Sequence, residues 1–175
     1  MTNHTALISV MCTDRVGLVA DIAGCLFDLG GNLNDATFAV LGGGAEFTGV
    51  CEFPGDLPLA EVERSLRNIE SLADADVSVT VFGMAPVHDE TARVTHHLTL
   101  RGGNQPGLIA RLCEVFVQFR ANVVRLSSER IPGKGRDDYA IDIAVRIPPD
   151  SVPTCLATVG NTAGELGLSF GYRTH

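Results

Sequence analysis

Aromatic residues make up only 6% of this 175-residue sequence, and tryptophan is absent. A module that reads RNA needs exposed aromatics on central strands beside a basic face, so that class is set aside. Positive charge is also scarce. Thirteen lysines and arginines stand against 21 aspartates and glutamates, a formal net charge of −8, which repels phosphate backbones. Direct nucleic-acid binding is therefore not expected. Arg125, Arg130, Lys134 and Arg136 do gather, but Glu129, Asp137 and Asp138 interleave with them, which describes a solvated hairpin. No apolar run reaches 18 residues, and Met1-Thr2-Asn3-His4 is not a basic region leading into an apolar signal segment. The expectation is a soluble, cytoplasmic chain with no membrane contact. Five cysteines, Cys12, Cys25, Cys51, Cys113 and Cys155, are odd in number and never form a CxxC. That pattern argues against a disulfide framework or a zinc site and for small buried side chains. No cofactor or metal is expected.

What the sequence does have is an apolar content of 45% and a repeat. Residues 14–33 align without a gap on residues 104–123, at a constant offset of 90 (107 − 17). Gly17-Leu18-Val19-Ala20 falls on Gly107-Leu108-Ile109-Ala110, Ile22 on Leu112, Leu26 on Phe116, Leu29 on Phe119 and Asn32 on Asn122. Upstream, Ile8 and Val10 fall on Leu98 and Leu100.

The first copy has alternating residues at 5–12, a strand, followed by Leu18, Ile22 and Leu26 with Val19 and Phe27 as an apolar stripe at helical spacing. Gly30-Gly31 ends that helix, and residues 32–41, the Gly42-Gly43-Gly44 turn and residues 45–53 form a hairpin. Asp56 with Pro58 opens a second helix marked by Val62, Leu66 and Ile69. Val77, Val79 and Val81 form a closing strand.

The second copy repeats the order: a strand at 93–101, a helix at 106–119, a hairpin of 122–131 with 139–147, a helix opened by Ser151 and Pro153, and a strand carrying Leu168, Phe170 and Tyr172. Gly160 and Gly164 weaken its last helix. The expected fold class is α+β: two ferredoxin-like βαββαβ modules in tandem, each an antiparallel sheet with both helices on one face. The modules are placed at 1–84 and 92–175, with residues 85–91 as linker.

The segment that recurs is the turn between first strand and first helix, Asp14-Arg15-Val16-Gly17 and Asn104-Gln105-Pro106-Gly107. Free amides at a helix start favour a carboxylate, and glycine lets a ligand approach the main chain. Asp14 or Asn104 can accept from an ammonium group, so the turn suits a zwitterionic amino acid. Asn32 and Asn122 are candidate additional polar contacts. The competing reading makes Asp14 and Asn104 helix caps, with Gly17 and Gly107 serving tight packing of helix on sheet. His96-His97, as strand neighbours facing opposite ways, read as surface or edge-strand histidines rather than a metal pair. Gly42–44 lacks the final glycine of a dinucleotide fingerprint and joins two strands, so it is a hairpin turn. No nucleophile–base arrangement is evident, so the chain is not expected to be an enzyme.

Residues 13–20, Thr13-Asp14-Arg15-Val16-Gly17-Leu18-Val19-Ala20, continued by Gly30-Gly31-Asn32-Leu33-Asn34-Asp35, resemble an ACT-domain signature. Two such copies filling nearly the whole chain look most like the stand-alone tandem ACT proteins of the glycine cleavage system transcriptional repressor group. The resemblance implies pairing of modules, a homodimer, a protein partner, and a small effector, typically an amino acid, bound near the first turn. Carried onto this sequence, the site residues are Asp14, Arg15, Val16, Gly17, Leu18, Asn32 and Asn34 in copy one, and Asn104, Gln105, Pro106, Gly107, Leu108 and Asn122 in copy two. Val16 departs from the proline frequent at that position, and Arg120-Ala121 replaces the Gly30-Gly31 pair. These departures put in question whether both sites are intact. The alternative role is a ligand-free module that docks on an enzyme or regulator.

Overall fold

The computed structural model describes residues 3–85, 88–103, 105–132 and 138–175. The chain divides into two compact units, Met1–Pro86 and Val87–His175.

In the first unit β1 (His4–Thr13) leads to α1 (Leu18–Asp28), then the hairpin β2 (Asn32–Leu41) and β3 (Gly44–Phe53), α2 (Leu59–Arg67) and β4 (Asp76–Val81). The sheet runs β2-β3-β1-β4, and every pairing in it is antiparallel. Its two faces follow from strand alternation: Ala6, Ile8, Val10 and Cys12 point into the core while Leu7, Ser9 and Met11 take the other side. Leu18, Ile22 and Leu26 of α1 and Val62 and Leu66 of α2 close that core against Phe47, Cys51 and Phe53. Each large side chain fully removed from water contributes about 1.5–3 kcal/mol, so this set is what holds a unit of this size together.

Several expectations shift. Val19 and Phe27, assigned to the helical stripe, are exposed at 43% and 77%. On a helix 100° per residue, Leu18, Ile22 and Leu26 already span the face toward the sheet, and residues 19 and 27 fall beyond its edge. Asp56 does not start α2; Pro58, in an extended conformation, precedes its first residue. Ile69 lies past the end of α2 and packs on the core from the short 3-10 turn Glu70–Leu72 that follows. Val81 is exposed.

The second unit repeats the plan with β5 (His96–Gly103), α3 (Leu108–Gln118), β6 (Asn122–Ile131), β7 (Asp138–Arg146), α4 (Val152–Glu165) and β8 (Leu168–Thr174), in sheet order β6-β7-β5-β8. Leu98, Leu100, Ile141, Ile143 and Val145 meet Leu112, Phe116, Leu156 and Val159 in its core. Both units are thus four-stranded antiparallel βαββαβ sheets with helices on one face. The first strand of this unit begins three residues later than the expected residue 93, and its last strand leaves Tyr172 exposed. His96 is the larger departure. β5 is a central strand, not an edge, and His96 is buried with Nδ1 2.9 Å from Thr95 Oγ1.

The offset of 90 reaches backbone detail. Each second strand carries a bulge at the same place, between Leu33 and Asp35 and between Val123 and Arg125. Gly17 and Gly107 both take left-handed φ, as do Gly30 and, in its place in the second unit, Arg120.

Candidate functional site

The turn that opens α1 is built around Gly17, whose φ of +98° lies where a side chain is strained. Gly17 and Gly107, φ +77°, are the residues that cap α1 and α3, and among the described residues neither helix start receives a side-chain hydrogen bond. This removes the cap reading for Asp14, which stands three residues earlier, is exposed, and gives its backbone N–H to Gly43 O at 3.2 Å. Asn104 lies outside the described residues. The tight-packing role for the glycines also fails: a Cβ on Gly107 would meet nothing within 4 Å, and one on Gly17 only Asp21 Oδ2 at 4.0 Å. The glycines are needed for backbone conformation, and the space above them is open.

The first intrahelical bonds are Asp21 N–H to Gly17 O at 2.9 Å and Arg111 N–H to Gly107 O at 3.0 Å. The amides of residues 18–20 and 108–110 precede them and point out of the helix ends, where the dipole is positive. At the second turn, Gln105, Pro106, Gly107 and Leu108 join Ile109, Ala110 and Tyr139 around a hollow of about 270 Å³. Tyr139 is a wall of this hollow that the repeat did not reveal, because it enters from β7 rather than from the repeated segment; its hydroxyl donates to Ser128 Oγ at 2.9 Å. Gln105 turns its amide to Leu166 O at 3.2 Å, tying the turn to the end of α4.

At the first turn Arg15 is committed elsewhere. Its guanidinium bonds Asp74 Oδ1 at 2.5 Å and, more weakly, Thr13 O at 3.4 Å. Asp74 also accepts the Thr13 backbone N–H at 3.1 Å. The hydroxyl of Thr13, then that N–H and more weakly Arg15, hold the Asp74 carboxyl down at about 2. Asp74 therefore anchors the turn, and nothing in the sequence marked it, since 59 residues separate it from Arg15. Val16 projects fully into solvent, while the Leu18 and Leu108 side chains are core and only their backbones face the turn.

Asn32 and Asn122 are not beside these turns within a unit. Asn32 pairs with Glu52, which pairs with Thr5, whereas the turn follows Thr13 at the Leu41–Gly44 end of the sheet. Nine residues of extended strand separate the two places, about 30 Å. Asn32 Nδ2 donates to Asn34 Oδ1 at 2.9 Å, and Asn34 sits at the bulge; Asn122 Nδ2 donates to Thr91 O at 2.8 Å. Recurrence in sequence had grouped residues that the fold puts at opposite ends of a strand.

The cysteines offer no activated nucleophile. Cys12, Cys51 and Cys155 are buried, Cys25 and Cys113 partly so, and burial raises all five thiols, Cys51 to about 11. Among the described residues no group of three or more His, Cys, Asp or Glu side chains is placed to hold a metal ion. Among the described residues no helix is long and apolar enough to cross a membrane.

No family model matches the chain, and no curated protein matches it. Among solved structures, an unknown protein from Galdieria sulphuraria superposes on 99% of this chain and 99% of its own, with TM-score 0.76 and 19% identity. A candidate glycine cleavage system transcriptional repressor superposes on 100% of this chain and 99% of its own, with TM-score 0.69 and 15% identity. The chain has the tandem ACT-like fold. At these identities the likeness is one of fold, and it extends through both ACT-like modules, so the second βαββαβ is part of the shared architecture.

Proposed function

We propose that this tandem ACT-like protein is a non-enzymatic regulator that binds a small effector, an amino acid or close relative, at the turns after β1 and β5. The observation that carries the reading is the pair of glycine-capped helix starts at identical repeat positions, with no side-chain cap among the described residues and with open space above both glycines. Carboxylates bind such amides, and Asp14 supplies an acceptor for an ammonium group. Asn104, in the matching position, takes the same role in copy two. Effector binding acts through pairing of modules, as a homodimer, or through a protein partner. The solved structure of a candidate glycine cleavage repressor supports extending this to transcriptional control of glycine metabolism, with the partner reading DNA, because this chain carries a net charge of −8.

Thermal unfolding of the purified chain against the twenty amino acids and folates tests this. One amino acid should raise the midpoint selectively, and Asp14→Ala or Asn104→Ala should abolish the rise. If none shifts it, the effector reading fails.

A second reading, a docking module without an effector, is favoured by one observation. Val16, Val19 and Phe27 stand exposed in the turn before α1 and on α1 itself, apolar surface that a docking partner would cover.

A further inference from the structure

The outer face of the second sheet, away from its helices, carries a group of cations that the turn sites do not use. Strand register sets Arg125, Ala144, His97 and Arg173 in one row across all four strands, and Ser127, Asp142, Thr99 and Gly171 in the next. Ala144 and Gly171 are small, and between the longer side chains lies a hollow of about 370 Å³. His97 Nε2 is 3.4 Å from His175 Nδ1. Asp142 is the carboxylate of the hollow and accepts from Thr99 Oγ1 at 3.2 Å. Among the described residues no ion pair engages Arg125 or Arg173.

Charge counting gives the ligand class. Two guanidiniums and one carboxylate sum to +1, and one protonated imidazole makes +2, which a dianion would neutralise. The alternatives fit less well: a cation meets two arginines, and a neutral molecule leaves both charges unmatched. The volume lies near the lower end of small-molecule sites, about 300–1,000 Å³. We infer that this face binds a small dianionic oxyanion, a phosphate monoester or a dicarboxylate, with Arg125 and Arg173 gripping it from either side and His97 beneath. Ser127 supplies a neutral donor.

Proton linkage follows from the surroundings of His97. Facing it are Arg173 and His175 from β8 and the residue after it, Arg125 and, two rows away, Glu129 from β6, Asp142 and Arg146 from β7, and Arg101 in the row of Glu129 further along β5. Partial burial first, then Arg173, His175 and Arg125, hold its imidazolium below the usual 6.5. A bound dianion cancels that repulsion, raises the pKa and takes up a proton. Affinity should therefore increase as pH falls from about 7.5 to about 5.5.

The test is an NMR titration of the histidine Cε1–H signals in the full-length chain at constant ionic strength, with sulfate, glycerol phosphate, succinate or chloride added. Sulfate stays dianionic throughout, so it isolates the protein's own titration. A saturable rise in the His97 pKa with a dianion, absent with chloride, is expected. Arg125→Gln and Arg173→Gln should each weaken binding about tenfold or more, while Asp14→Ala should leave it unchanged. A stronger response to glycerol phosphate than to succinate assigns a phosphate monoester, and the reverse a dicarboxylate. If the His97 titration is the same with every salt, or both arginine variants bind as the parent does, the site does not exist. Neither result would bear on the effector turns.

Discussion

Arg120 has a backbone φ of +54°, and among the described residues it is the one non-glycine with positive φ. It follows α3 at the place Gly30 occupies after α1. In both copies the same pair of bonds closes the helix: Gly31 N–H to Leu26 O at 2.8 Å and Gly30 N–H to Phe27 O at 2.9 Å, matched by Ala121 to Phe116 at 2.9 Å and Arg120 to Val117 at 3.1 Å. A side chain in this conformation costs about 1–2 kcal/mol, from which the extra unfolded-state entropy of a glycine subtracts about 0.5–1. Arg120 is exposed, so little packing is at stake in its side chain. Arg120→Gly should therefore stabilise the chain by about 0.5–1 kcal/mol in urea unfolding. A loss of stability would mean that the arginine side chain contributes something its exposure does not suggest.

Asp74 gives a residue-scale prediction in pH. Its folded pKa of about 2 lies below the ordinary 3.8, so its contribution to stability is complete above about pH 4 and fades as pH falls through 2. The stability gap between the parent and Asp74→Ala should be full at pH 6 and close toward pH 2. A gap that persists at pH 2 would show that the carboxylate is not what anchors the turn.

At the scale of elements, α1 and β3 meet at one crowded point. A Cβ on Gly31 would lie 2.6 Å from Phe53 Cε1 and 2.8 Å from both Cys51 Sγ and the Leu26 carbonyl oxygen. The second unit carries Ala121 at the matching position, with the same backbone bond, to Phe116 O. The registers explain why: Leu33 pairs with Cys51 as Val123 pairs with Val145, so Phe53 corresponds to Ile147. The smaller isoleucine leaves room for the methyl. Gly31→Ala should cost about 1–3 kcal/mol in the parent, and less in a Phe53→Ile background, which relieves the shortest of the three contacts. Strict additivity of the two changes would overturn this account.

The same comparison shows what the sequence could reveal. Element order, the offset of 90 and the core positions at Leu18, Ile22 and Leu26 were legible, because burial on one face writes a period into the chain. The outward turn of Val19 and Phe27 was not, because apolar residues at the edge of a stripe look alike whether or not a neighbouring element covers them. His96 depended on strand order, which places β5 between β7 and β8. In the site, the recurring turn was legible, but Asp74 and Tyr139 reach it from distant strands and loops, and Asn32 sits a strand's length away.

At the scale of the molecule, the hollow at the start of α3 sets a limit. About 270 Å³ falls below the usual range for sites that enclose a small ligand, about 300–1,000 Å³, and one side of it is open. An effector held there alone would keep much of its surface in water. A second wall, from another copy of this chain or from a partner, would bury that surface and make binding and association favour each other. This gives a whole-molecule prediction. With a saturating effector the unfolding midpoint should rise with protein concentration, because the ligand then stabilises an associated state by mass action. Analytical ultracentrifugation should show a larger mass only when effector is present. A midpoint that rises with ligand but is indifferent to protein concentration would place the whole site within one chain and remove pairing from the mechanism, leaving effector binding itself intact.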